Sequence, residues 1–444
     1  MSKINQMLEN LDNKVWDIPS VYERDRSIVK KDLISVYEDN YGISDLKDAN
    51  SYSFSTNNED IWIVPGESFL IVNAKLRKTN GNEFLWANVP EIQANPNAVP
   101  PILGQVAQNA HDVTLDFNGF NLFTEARLFV NNEEVERIEH LGISTLLHHL
   151  RNYNDFADYY NSQYNEMIRG RNDTLTTIRE QGGNFELMLP VNKIFPMLSQ
   201  ITHAFRGAKF RITLTKSEDA KCVTKVGAAT PNGKVMINKI VWKIPQVEPS
   251  LPMQARLEQM LSRSSQYTVT WPAMNVYKLM PPKTGEIRVP LASTIHKPTS
   301  VFVAFQNLNR STSQEHKFMM FDQMTVEKIN CEVNSVKFPE KDIELDFRAT
   351  NKKVLEAYDR FLDSCKNKKS IWMTYHNFET EFPIYHIDVS KHKPELYENS
   401  NFPNIVLNVK FRNVPTVDYV MWVMVENERE ATLNMDNKQM KIIR

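Results

Sequence analysis

Glu125-Ala-Arg-Leu-Phe-Val-Asn131 and, about 200 residues later, Lys328-Ile-Asn-Cys-Glu-Val-Asn334 read alike. Ala126, Leu128 and Val130 alternate with polar or exposed-type positions in the first stretch, and Ile329, Cys331 and Val333 do so in the second. Successive side chains leave a strand on opposite sides, so this period of two predicts strands with one buried face. A 3.6-residue pattern follows each. Leu146, Leu150, Tyr153, Ala157 and Tyr160 predict a helix over 144–161, and Val354, Tyr358, Phe361 and Cys365 predict one over 350–366. Further landmarks keep the order. Phe185 to Val191 is answered by Phe382 to Val389, and Phe210 to Thr215 by Ile405 to Phe411. Val235 to Ile244, with Trp242, is answered by Tyr419 to Val425, with Trp422. One order of elements met twice in one chain indicates two copies of one architecture.

The totals agree with a duplication. A chain of 444 residues exceeds one ordinary core, so two domains of about 200 residues are expected. The hydrophobic share of 41%, with 23 Phe and 15 Tyr, marks the chain as globular. Lys and Arg number 52 against 54 Asp and Glu, and a net charge of -2 leaves no electrostatic footprint for strong nucleic-acid binding. Cys222, Cys331 and Cys365 are odd in number and far apart, which predicts buried free thiols made in a reducing compartment. The N-terminal residues read as no signal peptide and no apolar run reaches 18 residues, so a soluble intracellular product with no membrane span is expected, and the sequons at Asn172 and Asn309 read as accidental.

Residues 1–50 read as a polar N-terminal arm with short helical patches at Ile28, Val29, Leu33 and Val36, dispensable for folding and ordered only against a neighbour. A first sandwich is predicted over 51–247. Ile61 to Val64 stops at the turn pair Pro65-Gly66, and Leu70, Val72, Ala74 and Leu76 alternate cleanly, the mark of an antiparallel sheet covered on one face. Residues 88–111 form a long loop. Phe117 to Asn131 and Glu133 to Ile138 form a hairpin about Asn131-Asn132, and 170–184 reads as a polar loop. A Pro-rich linker over 248–252 leads to a second sandwich over 253–430, opened by a helix at 253–263, and 431–444 reads as a polar, basic C-terminal tail.

Chemistry is hard to find. His148 and His149 are adjacent on a helix, whereas helical metal ligands stand three or four apart. His376, His386 and His392 lack acidic or thiol partners at ligand spacing. Asp388 shares a strand face with His386, as an acid–base pair would, but a structural contact is the commoner reason for such a pair. Glu133-Glu134 and Glu379 with Glu381 fall in predicted turns, where charge is simply solvated. No nucleophile elbow, phosphate loop or HExxH occurs. The expectation is therefore no catalytic residue, no cofactor site and no metal site.

Leu128 to Val135, the aromatic helix from Leu146, Phe185 to Pro190, Phe205 to Leu214 and Lys234 to Pro245, together with Val301 to Gln306, Ile329 to Asn334 and Ile384 to Val389, resemble the double jelly-roll major capsid proteins. The form they most resemble is the compact, hexon-like one of Polinton/Maverick and adintovirus-type elements. The resemblance covers about residues 50 to 430. It implies an all-β chain of two consecutive eight-stranded antiparallel jelly-roll sandwiches, each with a short helix between strands. It also implies a structural role: homotrimers of pseudo-hexameric shape tiling an icosahedral shell, in contact with one another and with penton or minor capsid proteins. The place of action would be the virion capsid, with the chain made in the host cytoplasm and the nucleus as a possible place of assembly. The chain departs from large hexons in leaving little room for tower loops. A double jelly-roll sugar- or protein-binding protein or enzyme is the alternative, and it would need a concave polar cluster that the sequence does not display. A minor, penton-like capsid protein is the third reading, and the duplication argues against it.

Overall fold

Asn131 and Asn132 take φ of 49° and 71°, and Asn334 and Ser335 take 48° and 67°. Both pairs make two-residue turns with positive φ throughout, which match the right-handed twist of the strands they join. The repeated hairpins thus turn at equivalent places. The computed structural model describes residues 27–39, 49–56, 61–86, 110–116, 119–151, 171–201, 204–227, 230–263, 266–291, 295–365, 373–390, 403–434 and 439–443.

Among the described residues, sixteen strands form the four main sheets. The first eight are β1 (Ile28–Tyr37), β2 (Ser51–Ser55), β3 (Phe69–Lys78), β4 (Phe123–Val130), β5 (Glu133–Glu139), β6 (Asn184–Pro190), β7 (Phe210–Lys216) and β8 (Gly233–Pro249). The second eight are β9 (Gln266–Leu279), β10 (Glu286–Pro290), β11 (Pro298–Asn307), β12 (Val326–Val333), β13 (Val336–Glu344), β14 (Ile384–Asp388), β15 (Ile405–Phe411) and β16 (Tyr419–Asn434). The first set forms sheets ordered β1-β8-β3-β6 and β2-β7-β4-β5; the second forms β9-β16-β11-β14 and β10-β15-β12-β13. Adding eight to every label converts one half into the other. All these pairings are antiparallel. Two four-stranded sheets closing over one core, in this order, are a jelly roll.

The alternation read from sequence decides which face is buried. Leu70, Val72, Ala74 and Leu76 of β3 are at most 2% exposed, as are Ala126, Leu128 and Val130 of β4 and Ile329, Cys331 and Val333 of β12. The helices that follow the hairpins, α1 (Leu141–Arg151) and, in the second half, the helix Leu355–Asp363, occupy equivalent positions in the order of elements. Of the residues that predicted the first helix, Tyr153, Ala157 and Tyr160 lie outside the described residues.

Several expectations need correction. Ile28 to Val36 is not helical and not part of a free arm: it is β1, paired along its length with β8 from Ile28↔Pro249 to Tyr37↔Val241. Alternating Ile34 and Val36 face the core, whereas Val29 and Leu33 stay exposed. Eight irregularly spaced apolar and charged residues suit a helix as well as a strand; pairing with β8 decides between them. The Pro-rich segment is no linker either, since β8 runs through Pro245 to Pro249 and a helix over Leu251–Arg263 starts directly after Ser250. Residues 170–184 hold α2 (Arg171–Glu180), which stops where Gly182 and Gly183 take φ of 60° and 81°. The hairpin's first strand starts at Phe123, after a 3-10 turn over Gly119–Leu122. The tail over 431–444 is not free: β16 extends to Asn434, and Gln439–Ile443 pairs back on it. Most of the 88–111 loop and residues 1–26 lie outside the described residues.

Candidate functional site

The two halves interlock. α1 belongs to the first half by sequence, yet Ile143, Leu146, Leu147 and Leu150 are part of the core of the second. Conversely Val269, Trp271 and Ala273, on the first part of β9, are part of the core of the first half. There β9 packs on β5 and on α3 (Pro196–Gln200). The helix α4 (Leu251–Arg263) joins β8 to β9. Each half therefore completes the other's apolar interior.

Polar groups fix this junction. Arg151, the last residue of α1, donates from Nη2 to Glu426 Oε2 at 3.1 Å and to the Ser364 carbonyl at 3.2 Å, and its guanidinium lies 4.6 Å from the centre of the Phe302 ring. Both charged side chains are largely buried, at 7% and 13% exposure. Gln314 clamps the Gly233 backbone in both directions: its Nε2 donates to the Gly233 carbonyl, and its Oε1 accepts from the Gly233 amide, each at 2.7 Å. The Met319 amide donates to Asp116 Oδ2 at 3.1 Å.

Glu136 of β5 lies beside β9, with Oε2 accepting from the Met197 amide at 3.2 Å. Burial pushes its carboxyl up to about 8, against the opposing pull of the Met197 amide and of Arg429. Between about pH 4.5 and 8 the unfolded chain has released this proton and the folded chain still holds it, so stability falls as pH rises through that window. The loss is roughly 5 kcal/mol at most. Replacing Glu136 by Gln is expected to raise the melting temperature strongly at about pH 8 and little at about pH 5. A gain independent of pH in thermal denaturation would show that this carboxyl is ionised in the folded chain.

The histidines found in the sequence do not converge. His386 stacks on Phe302 with ring centres 4.7 Å apart; its Nδ1 lies 2.9 Å from the Arg360 carbonyl and its Nε2 3.3 Å from Ser300 Oγ. Burial pulls its imidazole down to about 4, with Arg151 adding to the effect. Asp388 instead accepts from the Ser390 amide and hydroxyl at 2.9 and 2.6 Å. His148 and His149 are half-buried on α1, His376 is exposed, and His392 lies outside the described residues. Cys222, Cys331 and Cys365 are buried free thiols, and burial pushes the Cys331 thiol up to about 12. Glu379 is not simply solvated: Lys352 Nζ lies 2.6 Å from its Oε1. Among the described residues no group of three or more His, Cys, Asp or Glu could hold a metal ion.

The sequence reading missed Arg151, Glu136 and Gln314. Glu136 left one trace, a carboxylate two residues before buried Ile138 on a strand. A concave polar cluster was missed as well. On the outer face of β10-β15-β12-β13, Asn408 Nδ2 donates to Asn330 Oδ1, and Asn330 Nδ2 to Asp342 Oδ1, at 2.9 and 2.7 Å. They line a shallow depression of about 350 Å³ with Arg288, Lys328 and Lys410.

The repeated sheet order decides the class, and comparison with known families agrees with it. The double jelly roll-like domain family matches residues 113–417, more than half of the chain. The chain belongs to this family. Among solved structures, this double jelly-roll chain is similar to the mavirus major capsid protein, with a TM-score of 0.55 at 12% identity over 93% of this chain and 90% of that one. It is also similar to PBCV-1 VP54, as fitted into a reconstruction of the virophage Sputnik, with a TM-score of 0.55 at 9% identity over 96% and 99% of the two chains. The Faustovirus major capsid protein gives 0.52 at 8% identity over 95% and 93%. These likenesses establish the fold at low identity. No curated protein sequence matches.

Proposed function

We propose that this double jelly-roll protein is a major capsid protein whose trimers, pseudo-hexameric in outline, tile an icosahedral shell. The observation that carries the reading is the pair of sandwiches with one strand order, interlocked through α1 and β9 in a single chain. Two similar units per chain give three chains six similar corners, the shape a hexagonal tile needs, and a cyclic trimer closes it. The low-identity structural likenesses to major capsid proteins support the same reading. The role is structural rather than catalytic, its partners are further copies of itself and penton or minor capsid proteins, and its place is the virion capsid. In this reading the first unit starts at β1 rather than at Ser51, and the second starts after Pro249.

The polar depression on β10-β15-β12-β13 is the observation that favours a sugar-binding alternative. None of its lining residues is aromatic, so it offers no stacking platform, and Asn330, Asp342 and Asn408 are already engaged with one another.

Light scattering of the purified protein is expected to give trimers or larger assemblies. Each chain should bury well over roughly 800 Å² per neighbour. Negative-stain images should show hexagonal particles or shells. A stable monomer at micromolar concentration would refute the tile.

A further inference from the structure

Each half presents two strands that could meet a partner, and within one chain only one of each pair is covered. β1 and β9 hold the same place, at the edge of equivalent sheets beside β8 and β16. β9 is covered: Val269, Trp271 and Ala273 are 5%, 1% and 2% exposed where they pack against the first half. β1 is open. Ile28, Val29, Leu33 and Tyr37 are 43%, 67%, 48% and 45% exposed, and Ile34 and Val36 look onto a groove of about 610 Å³ lined also by Thr56, Ile61, Ile63 and Gln246.

The same asymmetry holds for the partner strands. β5 and β13 occupy equivalent sheet edges. β5 is covered by β9, with Val135, Glu136 and Ile138 at most 2% exposed. On β13 only Ile343 is buried, and Val336 is 40% exposed. Among the described residues the contact β9-on-β5 thus occurs once, and one more strand of each kind is left uncovered.

We propose that β1 of one copy packs against β13 of a second copy, reproducing between molecules the contact that β9 makes with β5 inside each. The occupant is a second copy because the surface required is the counterpart of β5, and β13 is that counterpart. Such a contact is heterologous, and three copies close into a ring when the second half of one copy meets the first half of the next with the same rotation that relates the two halves of one chain. Apolar edge strands otherwise invite uncontrolled pairing, which a specific partner prevents. The inference rests on the capsid-tile reading and names the surfaces that make the tile.

The test is cross-linking with a short bifunctional maleimide, using the full chain with Val29→Cys on β1 and Glu340→Cys on β13. Both positions are exposed, and the native cysteines are buried. Melting temperatures of the variants check that folding is intact. The chain with both substitutions is expected to give covalent dimers and trimers, the two single variants co-expressed to give dimers only, and each alone to give none. Dimers from the Val29→Cys chain alone would overturn the proposal by showing that β1 meets β1. Trimers by sedimentation with no cross-link between the two positions would overturn it and leave the tile reading standing. A monomer by sedimentation would overturn both.

Discussion

A chain beginning at Ser51 is expected to melt well below a chain beginning at Ser27, because its first sandwich is destabilised. The Ser51 truncation removes β1, whose backbone pairs with β8 from Ile28 to Tyr37. It removes Ile34 and Val36 from the core, the Lys31–Glu67 ion pair at 2.7 Å, and the Asp39 carboxylate that accepts from Ser53 and Ser55 at 2.7 and 3.1 Å. It also leaves an edge of β8 unpaired next to Trp242 and Ile244. A loss of this kind costs at least about 3 kcal/mol, the size of a large core truncation. For a unit of this size that lowers the melting temperature by roughly 6–12 °C, and the bared strand promotes aggregation. Differential scanning calorimetry of both truncations checks this. Equal melting temperatures would mean that β1 contributes nothing to the fold.

The second large effect lies in the junction. Arg151→Ala leaves Glu426 with its charge at 13% exposure and without this guanidinium partner, and it frees the Ser364 carbonyl and the Phe302 face from the guanidinium. Removing one partner of a buried pair costs about 3–5 kcal/mol, and the partial exposure of Glu426 places this case near the lower end. Removing both charges, as Arg151→Met with Glu426→Gln, is expected to recover much of the loss, because apolar or neutral groups of similar volume do not need a counter-charge. Urea denaturation of Arg151→Met, of Glu426→Gln and of the double variant measures the coupling. If the double variant is as unstable as the sum of the singles, the pair does not act as a unit.

The legible part of this fold was the part governed by alternation. β3, β4, β12 and β15 show their buried faces in the sequence because each sits inside a sheet with one face in a core, and the side-chain period of two records it. The Asn131-Asn132 turn was legible for a similar reason, since few residues accept two positive φ angles in a row. β1 was not legible. Its outer face carries Val29 and Leu33 and its inner face Asp32, Ile34 and Val36, so apolar and charged residues stand on both sides. The strand over 439–443 was hidden likewise: nothing local in it demands pairing with β16.

By itself the sequence determined the strands, their hairpins, the duplication and, through the resemblance, the class of fold. Those rest on neighbours a few residues apart, where periodicity and turn chemistry act. Only the tertiary structure decided that α1 completes the second core and that β9 completes the first. It also decided that Arg151 meets Glu426 across 275 residues, and that among the described residues β1 and β13 stay uncovered. A helix with one apolar stripe specifies that it must be covered, not by what. That choice depends on which surfaces the rest of the chain leaves free, and no window of sequence contains it.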